Sequence, residues 1–355
     1  MYRLLVTGDL MVGEKTERER NRVKEPVKKL ITSLHVDAVL GNLEVPLTDR
    51  GFPADKMIYW RSPPSTAKDL KEMGFSMLSL ATNHTLDYGV DGLFDTIAVL
   101  DREKIKRAGA GKNLTEAFKP IKINKNGQKL AIFSVTSTLP GYSAAGQGRP
   151  GAAPIRIRTM YEFDTKRLQE RPGFPPYIHT EAMAEDVQRV SREIKEIKKQ
   201  GYNVLVAIHW GDPYQKMLAG YQRPLAELLI ESGCDFILGH HPHTFHTIEL
   251  LNNVPVLYSV GNFIRTRRLD KISKKLFPGR DKETWQMTFQ ALVAVALFQK
   301  NKISEVEIYP ILIQDGIPAL ATCDAAKRIL HEVESLSGQN LSWRIRDGVG
   351  FIKLN

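Results

Sequence analysis

The chain has 355 residues, and its 50 Lys plus Arg against 40 Asp plus Glu leave a formal charge of +10. With 42% hydrophobic residues, two cysteines and no visible repeat, it is not a disulfide-stapled mini-protein, a collagen-like chain or a globally disordered one. At roughly 150 residues per domain, the length allows one large or two medium domains with a core that needs no staples.

Leu4–Val6 reads as a first buried strand. Glu25–Leu34 reads as a helix with Val27, Leu30, Ile31 and Leu34 on one face. Ala38–Leu40 is the next strand, and Ser65–Met73 a helix opened by a Ser-Thr cap after Pro63-Pro64. A strand over Met77–Leu80, a helix over Gly89–Glu103 and a strand over Leu130–Val135 follow. Residues 140–180 hold most of the irregular sequence, and a loop this long in a compact protein is usually functional or mobile. Thr180–Gln200 is a long amphipathic helix closed by Gly201. Val204–Ile208 is a strand, Gln222–Ser232 a helix closed by Gly233, and Phe236–Leu238 a strand. This alternation implies a layered α/β sheet. After Pro255 the pattern changes to long β runs, Pro255–Val260, Trp285–Gln299 and Ile303–Ile313, with Asn301-Lys302 as a hairpin turn. Two sheets packed together with helices outside are expected. The reading favours one domain over residues 1–355, with a hairpin and helix extension near 285–355.

Gly8 and Asp9 come too early for a signal-peptide core, and no stretch reaches the roughly 18 consecutive apolar residues of a membrane span. A cytoplasmic protein with reduced thiols and no integral membrane segment is expected. The basic runs are Lys24–Lys29, Lys195–Lys199 and Arg265–Lys275. The middle one interleaves Glu193 and Glu196 and reads as a solvated helix face. No helix-turn-helix, finger or aromatic RNP pattern accompanies them, so nucleic acid is not an expected partner. An anionic small-molecule or polymer substrate suits +10 better.

The rare polar residues fall at strand ends. Five apolar runs each meet a polar cluster: Gly8-Asp9, Gly41-Asn42-Leu43-Glu44, Asn83-His84, His209-Trp210-Gly211 and Gly239-His240-His241-Pro242-His243. Each alone has an ordinary reading, as a turn, a loop start, a helix cap or a buried histidine. Three imidazoles within four residues, at 240–243, rarely serve packing. In open α/β sheets ligands bind at the carboxyl ends of strands, so the clusters are expected to converge. Carboxylate, amide oxygen and imidazole together, with no thiolate, suit Mn, Fe, Zn or Co. Six of the nine histidines (His84, His209, His240, His241, His243 and His246) lie in or directly after this set. His35, His179 and His331 read as surface or core residues.

The ordered set, completed by Ser259-Val-Gly-Asn262-Phe263, resembles the CapA family over residues 3–265. This is the capsule or poly-γ-glutamate biosynthesis branch of the calcineurin-like metallophosphoesterases. The resemblance implies a four-layer α/β/β/α sandwich of two mixed β-sheets and a site for one or two divalent ions, Mn, Fe or Zn. It implies Asp9, Asn42, Glu44, Asn83, His209, His240, His241 and His243 as the metal set. Glu44 is the candidate bridge, and His240 either an extra ligand or a support. The chain departs from the general superfamily pattern in three places. Met11 stands where a histidine is usual, Glu44 is the only carboxylate in its segment, and no acid adjoins His84. Asp87, three residues on, either orients His84 from the same helical face or is a first-turn helix acid.

The implied chemistry is hydrolysis by a metal-activated water, with His84 and Asp87 as the catalytic pair. The bond is a phosphoester or a γ-glutamyl amide. The alternative is a non-catalytic accessory component of a capsule synthesis complex. Arg149, Arg156 and Arg158, set among turn residues, are candidates to clamp an anionic substrate, as is Asn262. Arg265, Arg267 and Arg268 are candidates for the same rim.

Overall fold

The computed structural model describes residues 1–13, 17–266 and 286–354. It is a mixed α/β structure carried by two large sheets. The first has ten strands. Its centre is the strand Tyr2–Met11, parallel to Ala38–Leu43 on one side and antiparallel to Gln290–Gln299 on the other. Met77–Ser79 and Lys106–Ala108 extend it in parallel. Lys302–Gln314 and Val349–Lys353 extend the opposite side antiparallel. The second sheet has six strands. Gln128–Thr136, Asn203–His209, Phe236–His240 and Val254–Leu257 run parallel, flanked by antiparallel Ile121–Lys125 and Ile248–Leu251.

The strands read as unbroken apolar runs because they are buried on both faces. Leu4 and Val6 share a core with Leu205, Ala207, Leu238, Ala294 and Ala296, so residues of both sheets meet there. Leu5 and Leu10 instead join Val27, Ile31, Leu70 and Leu100 from the helices Glu17–Ser33, Thr66–Met73 and Gly89–Arg102. Val204, Val206 and Ile208 join Val190, Ile194, Leu225 and Leu229 from the helices Ala184–Lys199 and Gln222–Glu231.

Five elements differ from expectation. The first helix begins at Glu17 and runs through Pro26, because its apolar stripe continues back to buried Val23. The helix expected from Thr180 starts at Ala184. Tyr177–Ala182 is instead a strand, paired antiparallel with Ile157–Glu162. Residues 140–180 therefore hold a β-ribbon and the short helix Thr165–Glu170 rather than an unstructured loop. Lys300 and Asn301, both with positive φ, make the two-residue hairpin turn, one residue earlier than Asn301-Lys302. The strand expected from Trp285 starts at Gln290, and Trp285 lies outside the described residues. The strands after it pair beside Tyr2–Met11, so the C-terminal segment completes the first sheet.

Candidate metal centre

The strands Tyr2–Met11, Ala38–Leu43, Asn203–His209 and Phe236–His240 run into their polar clusters, while Met77–Ser79 ends four residues before Asn83, and register then does the assembly. Asp9 stands opposite Asn42 on one neighbouring strand and Asn262 on the other. In the second sheet His209 stands opposite His240. The glycines of the motifs allow close crossing at these ends. A Cβ on Gly8 would stand 2.0 Å from the Gly261 carbonyl oxygen, and one on Gly239 would stand 2.0 Å from that of Tyr258. His241 and His243 leave the last strand with φ of 96° and 59°, a strained backbone for non-glycine residues. The turn aims both rings inward. Each ring is buried.

Two buried groups of donor atoms result, one from Glu44, His209 and His241 and one from Asp9, Glu44 and His243. Glu44 belongs to both. In the first group His209 Nε2 is approached by Asn83 Oδ1 at 3.0 Å, His241 Nδ1 at 3.1 Å and Glu44 Oε1 at 3.4 Å. One ring nitrogen carries at most one hydrogen, so three such neighbours cannot all be hydrogen-bond partners of it. In the second group Asp9 Oδ2 lies 3.3 Å from His243 Nδ1, and Glu44 Oε1 lies 3.8 Å from His243 Nε2. Neither oxygen of Glu44 has a hydrogen-bond partner, and Asn42 Oδ1 is likewise orphaned. An unsatisfied buried polar atom costs about 1–3 kcal/mol, more when charged. A shared cation removes that cost, so the donor set fits a divalent ion.

Electrostatics agrees. Burial, then the neighbouring Asp9, push the Glu44 carboxyl well above its ordinary value. Burial also raises the cost of the Asp9 charge, yet the His243 hydrogen bond and the fields of His240 and His243 outweigh it and hold Asp9 low. Burial drives His209 well below the ordinary imidazole range and His241 down to about 3. Both rings are neutral near pH 7 and offer lone pairs.

The other expected residues divide. Asn262 Oδ1 meets His243 Nδ1 at 3.0 Å, while its amide donates to the His243 and Thr288 carbonyls. It supports a ring of the cluster rather than lining open space. His240 is in neither donor group, and its Nε2 reaches the Thr7 carbonyl at 3.0 Å, tying one sheet to the other. His84 Nδ1 lies 2.5 Å from Asp87 Oδ2, so Asp87 is the partner of His84. His246 is buried outside both donor groups. His35, His179 and His331 are exposed.

Arg149 donates to the Ala144 carbonyl, Arg156 is held by Asp186 and Glu185, and Arg158 by Glu181. None of these partners belongs to the metal cluster. Arg265 is buried beside Thr288 and over the Phe289 ring, while Arg267 and Arg268 lie outside the described residues. Sequence reasoning missed Lys56, which donates to Asp87 Oδ1 and the Asn83 carbonyl, and Tyr214, whose ring centre is 5.3 Å from that of His243. Lys56 follows no strand, and Tyr214 lies five residues past His209, outside the polar cluster there.

A buried cluster of acids and imidazoles at the strand ends of a mixed α/β fold defines a protein built around a candidate metal centre. The chain belongs to the family described as bacterial capsule synthesis protein PGA_cap, whose model matches residues 3–267. It is 28% identical to the PGA biosynthesis protein CapA of Bacillus subtilis (strain 168), over 96% of this chain and 79% of that protein. It is 25% identical to the capsule biosynthesis protein CapA of Bacillus anthracis, over 99% of this chain and 77% of that one. A probable polyglutamine synthesis accessory protein of Mycobacterium tuberculosis (strain CDC 1551 / Oshkosh) is 27% identical over 70% of this chain and 63% of its own length. No described helix is long and apolar enough to cross a membrane.

Proposed function

We propose that the protein is a metal-dependent hydrolase of poly-γ-glutamate or capsule metabolism, acting on a phosphoester or a γ-glutamyl bond. In this reading the two sheets and their helices are one four-layer α/β/β/α domain of the calcineurin-like type. The observation that carries the proposal is the meeting of two buried donor groups at the unsatisfied Glu44, with a held histidine nearby. The relatives' names supply the polymer.

Asp9, Glu44, Asn83, His209, His241 and His243 would hold one or two ions. Oxygen and imidazole donors without thiolate favour Mn, Fe or Zn. The ion supplies Lewis-acid polarisation and activation of water. Glu44 balances charge between the two positions. Asn42 donates to Asp9 Oδ1 at 2.8 Å and keeps that carboxylate turned into the cluster. Asp87 holds the Nδ1 proton of His84, which leaves Nε2 to exchange a proton with the leaving group. The arginines of 149–158 have no part in this reading, because local carboxylates already balance Arg156 and Arg158.

Hydrolysis of bis(p-nitrophenyl) phosphate and of poly-γ-glutamate, with added Mn or Zn, tests the reading. Turnover that His84→Ala abolishes while metal content stays unchanged is the expected result. Stoichiometric metal without turnover of either substrate would instead favour a non-catalytic accessory component; the Mycobacterium tuberculosis relative is named a probable accessory protein of polyglutamine synthesis.

A further inference from the structure

Asp87 is gripped by a segment that lies about thirty residues before it in sequence. Ala54 N–H donates to the Asp87 carbonyl at 2.8 Å. Lys56 Nζ donates to Asp87 Oδ1 at 2.7 Å, and the Trp60 N–H donates to Asp87 Oδ2 at 2.7 Å. The same ammonium donates to the Asn83 carbonyl at 2.8 Å and stands 3.4 Å from His84 Nδ1. The Trp60 ring lies beside the His84 ring, with centres 6.3 Å apart. The Lys56 side chain is 15% exposed and the Asp87 side chain 1%. One cation therefore touches three consecutive functional points: the backbone of Asn83, the ring of His84 and the carboxylate of Asp87.

An ordinary surface ion pair does not have this geometry. A carboxylate held only by His84 is free to rotate about its own axis and lose the ring. With one oxygen fixed by Lys56 and the other by Trp60 N–H, the carboxylate plane is set before the imidazole meets it. The bond to the Asn83 carbonyl anchors the residue whose side chain reaches His209. We propose that Lys56 is a positioning residue, which fixes the Asp87 carboxylate and through it the direction of the His84 ring. The inference rests on the hydrolase reading only for its kinetic consequence, since the contacts that set the ring are made by Lys56, Trp60 and Asp87, none of them in the metal set.

The test uses the full chain with Lys56→Ala and Lys56→Arg. In the metal-free protein, NMR follows the His84 Nδ1 proton held by Asp87, assigned by its loss in His84→Gln. Lys56→Ala is expected to broaden that resonance by exchange with water, with the other indole and imidazole protons unmoved, and Lys56→Arg to restore it. A resonance unchanged in Lys56→Ala overturns the inference. A global loss of dispersion in Lys56→Ala leaves Lys56→Arg to decide, and its failure to hold the resonance in a folded chain also overturns it. In the Mn-loaded protein, Lys56→Ala should lower kcat for bis(p-nitrophenyl) phosphate by roughly 10–100-fold, the scale of a misaimed catalytic group, with KM nearly constant. Added ethylammonium should recover several-fold of it. Should the unaltered protein fail to turn over, the hydrolase reading falls and the resonance alone judges Lys56.

Discussion

The strand ends read in sequence as metal donors and the 149–158 arginines as a substrate clamp, and the two regions have opposite physics. At the strand ends, Glu44, Asn42 and His209 are buried, and acceptors crowd one another without enough protons to go round. In the 149–158 segment, the guanidinium groups of Arg156 and Arg158 are largely exposed and already matched by Asp186, Glu185 and Glu181. The first region is incomplete as it stands. The second needs nothing further. An unmatched buried polar group is therefore a stronger mark of function than a charged one, since a surface charge finds partners cheaply and a buried one cannot.

The largest expected effect comes from Glu44, the residue common to both donor groups. Glu44→Gln should remove most bound metal from both positions, measured by elemental analysis of the dialysed protein. It should also stabilise the metal-free chain, and the sign follows from the raised carboxyl. A folded-state value above the unfolded one means that stability is present at low pH and lost as pH rises past the ordinary glutamate range, roughly pH 4–5. In thermal melts of the metal-free protein the unaltered chain should thus lose stability relative to Glu44→Gln as pH rises through that range, on top of the opposite slope that the depressed His209, His241 and Asp9 give both chains. Equal slopes would contradict the buried, unmatched Glu44.

Next comes the support of the cluster. Asn262→Ala removes one of the two oxygens beside His243 Nδ1, the other being Asp9 Oδ2, and loss of such a support costs about 10–100-fold in metal affinity. Metal titration by calorimetry reads this directly, and unchanged affinity would remove Asn262 from the site. The smallest effect belongs to the other region. Arg156→Ala and Arg158→Ala should leave metal content unchanged; Arg158→Ala should cost about 0–1 kcal/mol in urea melts, the range of exposed ion pairs, and Arg156→Ala more, because its guanidinium forks onto the buried Asp186 carboxylate. A large loss of turnover on poly-γ-glutamate in either variant would return these arginines to the substrate surface and blunt the contrast.

Much of the cluster was legible because it obeys a local rule: an apolar run, then a donor, with a glycine between them before Asp9, Glu44, His241 and His243 and none before Asn83 or His209. The structure brings these six residues together, and it sets Asp87 against His84, one of the two roles its spacing allowed. The rule fails where a contact is made by register between distant strands. Asn262 reads as a substrate contact in sequence, yet pairing opposite Asp9 turns it onto His243. His240 reads as either an extra ligand or a support, and the fold decides: its Nε2 reaches the Thr7 carbonyl while His241 and His243 enter the cluster from the following turn. Lys56 belongs to no strand, and only the folded chain brings it to Asp87. In the fold, the helices with a clear apolar stripe lie within a few residues of their expected bounds, except the first, which begins at Glu17 rather than Glu25. The ribbon at 157–182 was missed because its strands are exposed and carry no run of buried apolar residues.

The central claim is that Glu44 joins two metal positions. Anomalous diffraction from crystals of the Mn-loaded or Zn-loaded protein tests it most directly. The account predicts peaks among Glu44, His209 and His241 and among Asp9, Glu44 and His243. Anomalous density elsewhere on the chain, with none within reach of Glu44, would contradict it.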